Sequence, residues 1–431
     1  MKIVFRKYKE GDEEGIVDLL KTCFRTYNTW NISVEDWLSY EKTDYGFKRE
    51  LALVAEHNGK IIGHVHIVLR KIRIGESFID IGGIANVSTH PNYRGQRIAT
   101  KLMSLAIKTC HELQPPLSSL LTGYASPAYH IYRKLGYTNT FFLYEYIGTR
   151  DKIEKAIHKL SISQEIVFDE LKEEHLEQAM KIYGKWSTKY NGMAYRPLEY
   201  WKERILKKTY YYSFFYDEKE AGLRIIAKKD NKIIGYALAL LGHKTKRPYW
   251  PRDSGVVLEV ATISNKYLKP LLYEITRRLL KEKVKSIRYM IPYNKSIKEF
   301  LRMLEKAKGA IYMDYIIDQT KLFKALIPEL IKRLKEIPIN ENISIDISSP
   351  YGCTTLEIKG NEIKIHNKCN SINKIALTRD GIAKLVYGVS TINDLICRDE
   401  IIHINVSDKA LRILRALFPK KQTYISIIDQ W

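Results

Sequence analysis

The sequence predicts an α+β protein with mixed, α/β-type sheets, in which one domain occurs twice in tandem and a smaller domain of different texture follows. Three observations carry this. Asn86–Lys108, NVSTHPNYRGQRIATKLMSLAIK, reads as a β-branched strand, a glycine-containing turn and an amphipathic helix in succession. Two elements recur at nearly equal spacing: LVAEHNGKIIGHVHIVL at Leu53–Leu69 resembles IIAKKDNKIIGYALALL at Ile225–Leu241, with Ile233 standing 172 positions after Ile61, and NVST at Asn86 returns as EVAT at Glu259, 173 positions on. Near-equal offsets over separate elements point to duplication of a whole domain rather than of one hairpin. Beyond Ile337, ISIDISSPYGCTTLEIKGNEIKIHN alternates apolar and polar residues between Gly and Asn turns. RDGIAKLVYGVSTINDLI and SDKALRILRALFP then read as amphipathic helices, giving a small α+β layer of about 95 residues, within the usual range for a domain.

A chain of 431 residues exceeds what a single core supports and suggests about three domains. The repeat and the change of texture place them at 1–150, 151–336 and 337–431. The N-terminus, MKIVFRKYKEGDEEG, is charged from the start, and no apolar run approaches the roughly 18 residues that span a bilayer, so a soluble cytoplasmic protein is expected. Five cysteines (Cys23, Cys110, Cys353, Cys369, Cys397) form no Cys-x-x-Cys pair; they read as buried small hydrophobes, with neither a disulfide framework nor a zinc site expected. The formal net charge of +22 would attract nucleic acid, lipid headgroups or polyphosphate ligands. The basic residues are scattered, however, and runs such as Lys244–Arg247 and Arg277–Lys285 read as a turn and a solvated helix face. No recognition helix, zinc finger or RNA-binding signature goes with them, so no specific nucleic-acid partner is expected.

In chain order, TWNISVEDWLSYEKTDYGF sets Trp30, Trp37, Tyr40 and Tyr45 beside Glu35, Asp36, Glu41 and Asp44. That mix reads equally as two helices with aromatic core faces and acidic solvent faces, or as the lining of a pocket for a cationic amine. The segments around Ile61–Gly63 and Ile233–Gly235 are hairpins with polar turns. The turn Arg94–Gly95–Gln96–Arg97 precedes a helix whose Ile98, Leu102, Leu105, Ala106 and Ile107 form an apolar face. Gly95 lets main chain approach a ligand without a Cβ, and the first-turn N–H groups, unpartnered and at the positive end of the helix, suit a pyrophosphate. On residue chemistry alone the loop reads equally as an ordinary strand–helix connection.

In the second copy Tyr267, Leu268, Lys269 and Pro270 take the place of that turn. Leu268 adds a side chain where phosphate would approach and Pro270 removes a donor, so only the first copy is expected to bind such a ligand. Arg196–Pro197 and Trp201–Arg204 read as a turn and a packing helix. The tail, TYISIIDQW, is apolar with a terminal aromatic; it reads either as a buried end or as an ordinary terminal strand of the small domain.

THPNYRGQRIA, from Thr89 to Ala99, resembles the coenzyme A signature of the GNAT acetyltransferases, Arg/Gln-x-x-Gly-x-Gly/Ala after a strand. Arg94 and Ala99 match, whereas Arg97 stands where that pattern has glycine. YASPAYHIYRKLGY, from Tyr124 to Tyr137, is similar to the stretch that holds the family's tyrosine general acid, and LRALFP with its short tail resembles the end of a sterol carrier protein fold. Two GNAT-like domains, the second degenerate, followed by a sterol carrier protein-like domain is the layout of the enhanced intracellular survival family of acetyltransferases. The resemblance covers nearly the whole chain.

It implies an N-acetyltransferase that moves acetyl from acetyl-coenzyme A to a primary amine, either a small cationic amine or a lysine side chain, by direct attack in a ternary complex. No metal is implied, and a tendency to form homo-oligomers is. By the match, Arg94, Gly95, Gln96, Arg97, Ile98, Ala99 and Thr100 hold the pyrophosphate, and Val87, Ser88 and Thr89 hold the pantetheine and acetyl group, with main-chain N–H groups on the tetrahedral oxyanion. Ser126 joins the cofactor contacts. Tyr132 is the general acid that protonates the leaving thiolate. The implied base is the chain's own terminal carboxylate, on Trp431; His64, His66 and His90 are alternatives acting through water. A non-catalytic acyl-coenzyme A or lipid carrier, using the apolar interior of the last domain, is the alternative function.

Overall fold

A computed structural model describes residues 2–160, 165–207, 221–245, 247, 249–337 and 342–431; Lys246, in the basic run Lys244–Arg247, lies outside the described residues. The first copy contributes β1 (Val4–Lys7), β2 (Ala52–His57), β3 (Lys60–Ile74), β4 (Ser77–Thr89), β5 (Leu117–Thr122) and β6 (Thr138–Thr149). The second contributes β7 (Val167–Glu170), a short β8 (Tyr190–Asn191) that lies apart, β9 (Gly222–Lys229), β10 (Lys232–Leu241), β11 (Ser254–Thr262), β12 (Ser286–Tyr289) and β13 (Glu305–Ile316). The expected hairpins are β2–β3 and β9–β10, turning at Asn58–Gly59 and Asp230–Asn231, all four residues at positive φ.

Apart from β8, these strands form one sheet, in the order β1-β2-β3-β4-β5-β13-β6-β12-β11-β10-β9-β7. The copies have exchanged their last strands: β13 of the second lies between β5 and β6 of the first, and β6 of the first lies between β13 and β12 of the second. The alternation of apolar residues fixes which face of a strand is buried and says nothing about which neighbour it pairs with, so the exchange leaves no mark in the sequence.

Helices cover both faces of each copy. In the first, α1 (Glu13–Cys23), α2 (Arg25–Thr29) and α3 (Val34–Thr43) bury Leu20, Tyr27, Trp30, Trp37 and Tyr40 on one face, and α4 (Ile98–Leu113) and α5 (Pro127–Lys134) bury Ile98, Leu102, Met103, Ala106 and Tyr132 on the other. The aromatic residues of the opening helices are therefore core, apart from the exposed Tyr45. Their acidic neighbours have other partners: Asp36 closes a capping box with Ser33 and pairs with Arg247, Glu41 pairs with Arg49, and Asp44 is buried between Arg70 and Arg204. In the second copy α6 (Arg150–Ala156) is followed by α7 (Leu176–Ser187), then α8 (Leu198–Tyr200), which runs on as a π-helical turn to Leu206, and α9 (Leu268–Leu280). The helices α7 and α9 pack on opposite faces of the sheet.

The last region has a five-stranded sheet, ordered β16-β15-β14-β17-β18, made of β14 (Asn342–Ser349), β15 (Gly352–Lys359), β16 (Glu362–His366), β17 (Asn373–Leu377) and β18 (Ile401–Asn405). Its core is continuous with that of the large sheet: Ile345, Leu385 and Phe418 join Ile72, Ile81 and Phe141 of the first copy and Tyr312 of the exchanged β13 in one cluster. Four of the five cysteines depart from the expectation of buried small hydrophobes, Cys23 being only half-buried. Cys353 and Cys369, whose Cα atoms lie 6.3 Å apart, form a disulfide, and Cys397 is exposed; Cys110 alone is fully buried. The tail leaves this region altogether: β19 (Gln422–Thr423) pairs with β8 of the second copy, not with the small sheet. Among the described residues no helix is long and apolar enough to cross a membrane.

On the exchanged strand, Asp314 is buried where all three regions meet. It accepts from Ser119 Oγ at 2.5 Å and Thr140 Oγ1 at 2.6 Å, with Tyr387 OH at 3.4 Å, and among the described residues no cation pairs with it. Burial pushes its carboxyl up to about 6. A folded value above the unfolded one of about 3.9 favours the folded chain at low pH, and that advantage disappears as pH rises through 6. Asp314→Asn is expected to raise the melting temperature at pH 8 and to change it little at pH 4, as thermal melts at the two pH values would read.

Candidate active site

Strand β4 pairs in parallel with β5 over four residues only, Ile81–Ile84 with Leu117–Leu120. Beyond that β5 stays with β13, whereas β4 bends away, so the two strands fork. The bend is a bulge at Asn86, which takes φ +53°, opposite the register shift between His64 and His66 on β3. Two side chains fasten it: Tyr27 OH donates to Asn86 Oδ1 at 2.9 Å, and His64 Nδ1 donates to the Asn86 carbonyl at 3.2 Å. Past the fork Val87–Thr89 have no strand neighbour on the β5 side, the Thr89 carbonyl accepts from Cys23 Sγ at 3.4 Å, and the buried hydroxyls of Ser88 and Thr89 have no hydrogen-bond partner among the described residues.

The turn after β4 carries two left-handed residues, Gly95 at φ +80° and Arg97 at φ +59°. Glycine meets the first requirement at no cost; the second is where the GNAT pattern has glycine, and here an arginine adopts the same backbone. Helix α4 has no side-chain cap, and its first internal bond is Lys101 N–H to the Arg97 carbonyl at 3.0 Å. Six successive N–H groups, from Gly95 to Thr100, therefore donate to nothing among the described residues. Space in front of Gly95 is open for 4 Å around the position a Cβ would take. Free donors at the positive end of a 16-residue helix, facing open space, form an anion cradle.

Fork and cradle bound one cleft of about 460 Å³, lined by Val87, Ser88, Thr89, Arg94, Gly95, Arg97, Ile98, Ala99, Thr100 and Tyr132, with Cys23, Phe24 and Ile131 among its apolar walls. Two of the residues expected in this group are not on its wall: Gln96 is exposed beside it, and the Ser126 hydroxyl caps α5 by accepting from Tyr129 N–H at 3.2 Å. Tyr132 is 6% exposed, and its hydroxyl makes no hydrogen bond among the described residues. Burial alone holds the phenol well above its ordinary value, so it keeps its proton. In the second copy the equivalent place is closed. There α9 starts at Leu268 itself, which is buried, and Pro270 occupies its first turn.

Trp431 lies on the other side of the fork. Its indole covers Gly83 of β4, 2.6 Å from where a Cβ would stand, and meets the Tyr312 ring at 6.1 Å. It helps line a second cavity of about 340 Å³, whose walls also include the β5 end Leu121–Gly123, Tyr144, Glu145, Tyr249, Trp250 and Met290. Glu145 takes Arg288 at 2.9 Å through one oxygen; the other is buried with no hydrogen-bond partner among the described residues. On sequence grounds none of these residues is a candidate apart from Trp431, and the α2–α3 segment reads as an amine pocket only equally with a core. The one signal was the Tyr249–Trp250 pair between Pro248 and Pro251, large rings in a segment unsuited to helix or strand.

The candidate histidines fare differently. Both His64 and His66 are buried, and burial depresses them, His64 to about 4, so they stand neutral near pH 7. His66 bonds the Lys48 carbonyl at 3.0 Å and stacks on Phe47. The half-buried His90 accepts from Asn92 N–H and faces a polar groove of about 970 Å³ beside α1, whose lysines, arginine and carboxylates offset one another and which contains no other predicted site residue.

Residues 4–140 match the acetyltransferase (GNAT) domain family. No curated protein matches the chain. Among solved structures it is similar to GCN5-related N-acetyltransferases from Kribbella flavida (TM-score 0.69, 14% identity, covering 100% of this chain and 98% of that one) and Anabaena variabilis (0.67, 15%, 100% of each). It is also similar to Eis1 from Mycobacterium abscessus (0.63, 13%, 98% of this chain and 99% of that one). At such identities these likenesses show the fold, and they do so over essentially the whole length. The chain thus carries, over residues 4–140, an acetyltransferase domain of the GNAT family, set in a fold that it shares from end to end with GCN5-related N-acetyltransferases.

Proposed function

We propose that the protein is an N-acetyltransferase of the enhanced intracellular survival type, taking acetyl from acetyl-coenzyme A to a small cationic primary amine in a ternary complex. The observation that carries this is the unpartnered run of N–H groups from Gly95 to Thr100, five of whose residues, Gly95 and Arg97 to Thr100, line the same cleft as the β4 fork and Tyr132. On this reading residues 1–150 are catalytic, 151–336 a copy without a cofactor site, and 337–431 a sterol carrier protein-like unit.

The cradle and Arg94 hold the pyrophosphate, with Arg97 adding a guanidinium where relatives have glycine. Fork N–H groups at Val87–Thr89, fixed by the Asn86 bulge, take the oxyanion as the amine nitrogen bonds to the thioester carbon. Collapse breaks the C–S bond; the thiolate takes the Tyr132 proton, and Tyr132 regains one from solvent. The amine arrives as an ammonium and gives up two protons in turn to the Trp431 carboxylate, which passes both to solvent; with one taken back by Tyr132, one proton is released per turnover. Tyr144, Tyr249 and Trp250, with the free oxygen of Glu145, suit a cation before it is deprotonated. A neutral His64, committed through Nδ1–H to Asn86, positions the bulge instead of serving as base.

Thiol release from acetyl-coenzyme A on a panel of primary amines tests the reading. Turnover on one or more amines is expected; coenzyme A bound without turnover on any would favour the carrier.

A further inference from the structure

Asp429, two residues before the chain's last carboxylate, is held inside the second copy. Its oxygens take Nε and Nη2 of Arg196, both at 2.8 Å, while Nη1 and Nη2 of the same guanidinium reach the two oxygens of Glu259 at 2.9 and 2.7 Å. All three side chains are fully buried. Glu259 also accepts from Tyr236 OH at 2.7 Å, and Tyr200 OH donates to the Ile428 carbonyl at 2.9 Å while accepting from Arg204 at 3.0 Å. Through Arg204 the cluster reaches Asp44 and Arg70 of the first copy. Three arginines thus balance three carboxylates in one buried network that joins both copies and the tail. Glu259 is the counterpart of Asn86, 173 positions on, so the strand position that forms the bulge in the first copy grips the tail in the second.

We propose that Arg196, with Glu259 and Tyr200, is a positioning site for the terminal carboxylate, and that the second copy, without a cofactor cradle of its own, serves the reaction by fixing the tail that reaches the first copy's fork. This rests on the reading of the Trp431 carboxylate as base. Apolar burial of Ile427 and Ile428 would hold the tail but let it slide. A guanidinium fork that bonds Asp429 through two nitrogens fixes register and direction as well. From there two residues span at most about 7 Å, so the carboxylate is confined, and the Trp431 ring against Gly83 supplies the second fixed point.

The test is a double-variant cycle on the full chain, using an amine that the wild type acetylates. Asp429→Asn keeps the shape of the side chain and removes its charge. It is expected to lower kcat about 10–100-fold, with the KM for acetyl-coenzyme A and the stoichiometry of coenzyme A binding unchanged and with hydrogen exchange faster at 424–431 alone. A Gly-Ser extension past Trp431 should abolish most turnover, and Asp429→Asn placed on the extended chain should cost nothing more, because both act through one group. Additive losses, or a fall in coenzyme A stoichiometry, would mean a merely structural role and overturn the inference. If the extended chain turns over normally, the base reading fails. If extension abolishes turnover while Asp429→Asn keeps the wild-type kcat, that reading stands and this inference falls. Should Asp429→Asn not fold, Tyr200→Phe takes its place in the same cycle, with an expected loss of about tenfold or less and the same non-additivity.

Discussion

Tyr132→Phe is expected to lower kcat by about 10²–10⁴-fold while leaving the affinity for coenzyme A unchanged. The phenol lines the cleft with the fork and lacks a hydrogen-bond partner among the described residues, so the substitution removes one oxygen without stranding another polar group. On the proposed mechanism, what is lost is the proton given to the departing thiolate. Because burial raises this phenol, its acid form persists past the ordinary tyrosine value of about 10, and wild-type kcat should show no alkaline fall attributable to it below that pH. Stopped thiol-release assays give kcat across pH, and calorimetric titration gives the affinity. Equal kcat in the two proteins would remove Tyr132 from the mechanism.

Asp44→Asn is expected to cost about 3–5 kcal/mol of stability at pH 7, the loss that follows when one partner of a buried ion pair is removed. Both Arg70 and Arg204 rely on this carboxylate, and all three side chains have no solvent exposure. The two guanidiniums hold Asp44 below its ordinary value against the opposing effect of burial. A lowered carboxylate gives stability that is present above about 3.9, its unfolded value, and is lost as pH falls through the folded value. The difference in melting temperature between wild type and variant should therefore be large at pH 7 and shrink below about pH 3.9. A difference that stays constant down to pH 3 would show that the charge is not what matters.

The parts of this molecule that were legible in the sequence are local. The β4–turn–α4 unit announces itself through β-branched residues, Gly95 and a helical apolar face, and the hairpin repeat through its spacing. Ile98, Leu102 and Ala106 are buried as their periodicity requires, with Leu105 and Ile107 half-buried at the edges of the face. What could not be read depends on which distant segments meet. Nothing in the sequences of β6 and β13 records their exchange. Arg196 and Arg204 look like parts of a turn and a packing helix until Asp44, Glu259 and Asp429 come from 160, 63 and 233 residues away to meet them. Cys353 and Cys369 are unremarkable at their spacing, and only the antiparallel run of β15 and β16 brings them together. The acidic and aromatic residues of α2–α3 show the converse: a composition suited to a ligand was spent on a core, a capping box and ion pairs.

Calorimetric titration with coenzyme A tests the central claim most directly, that main-chain donors at the start of α4 bind the cofactor and that the second copy has no such place. The wild type should bind one molecule per chain. Gly95→Val, which forces a β-branched residue to φ +80° and sets its side chain in the open space in front of the turn, should weaken binding by about tenfold or more. Two molecules bound per chain, or wild-type affinity in Gly95→Val, would contradict it.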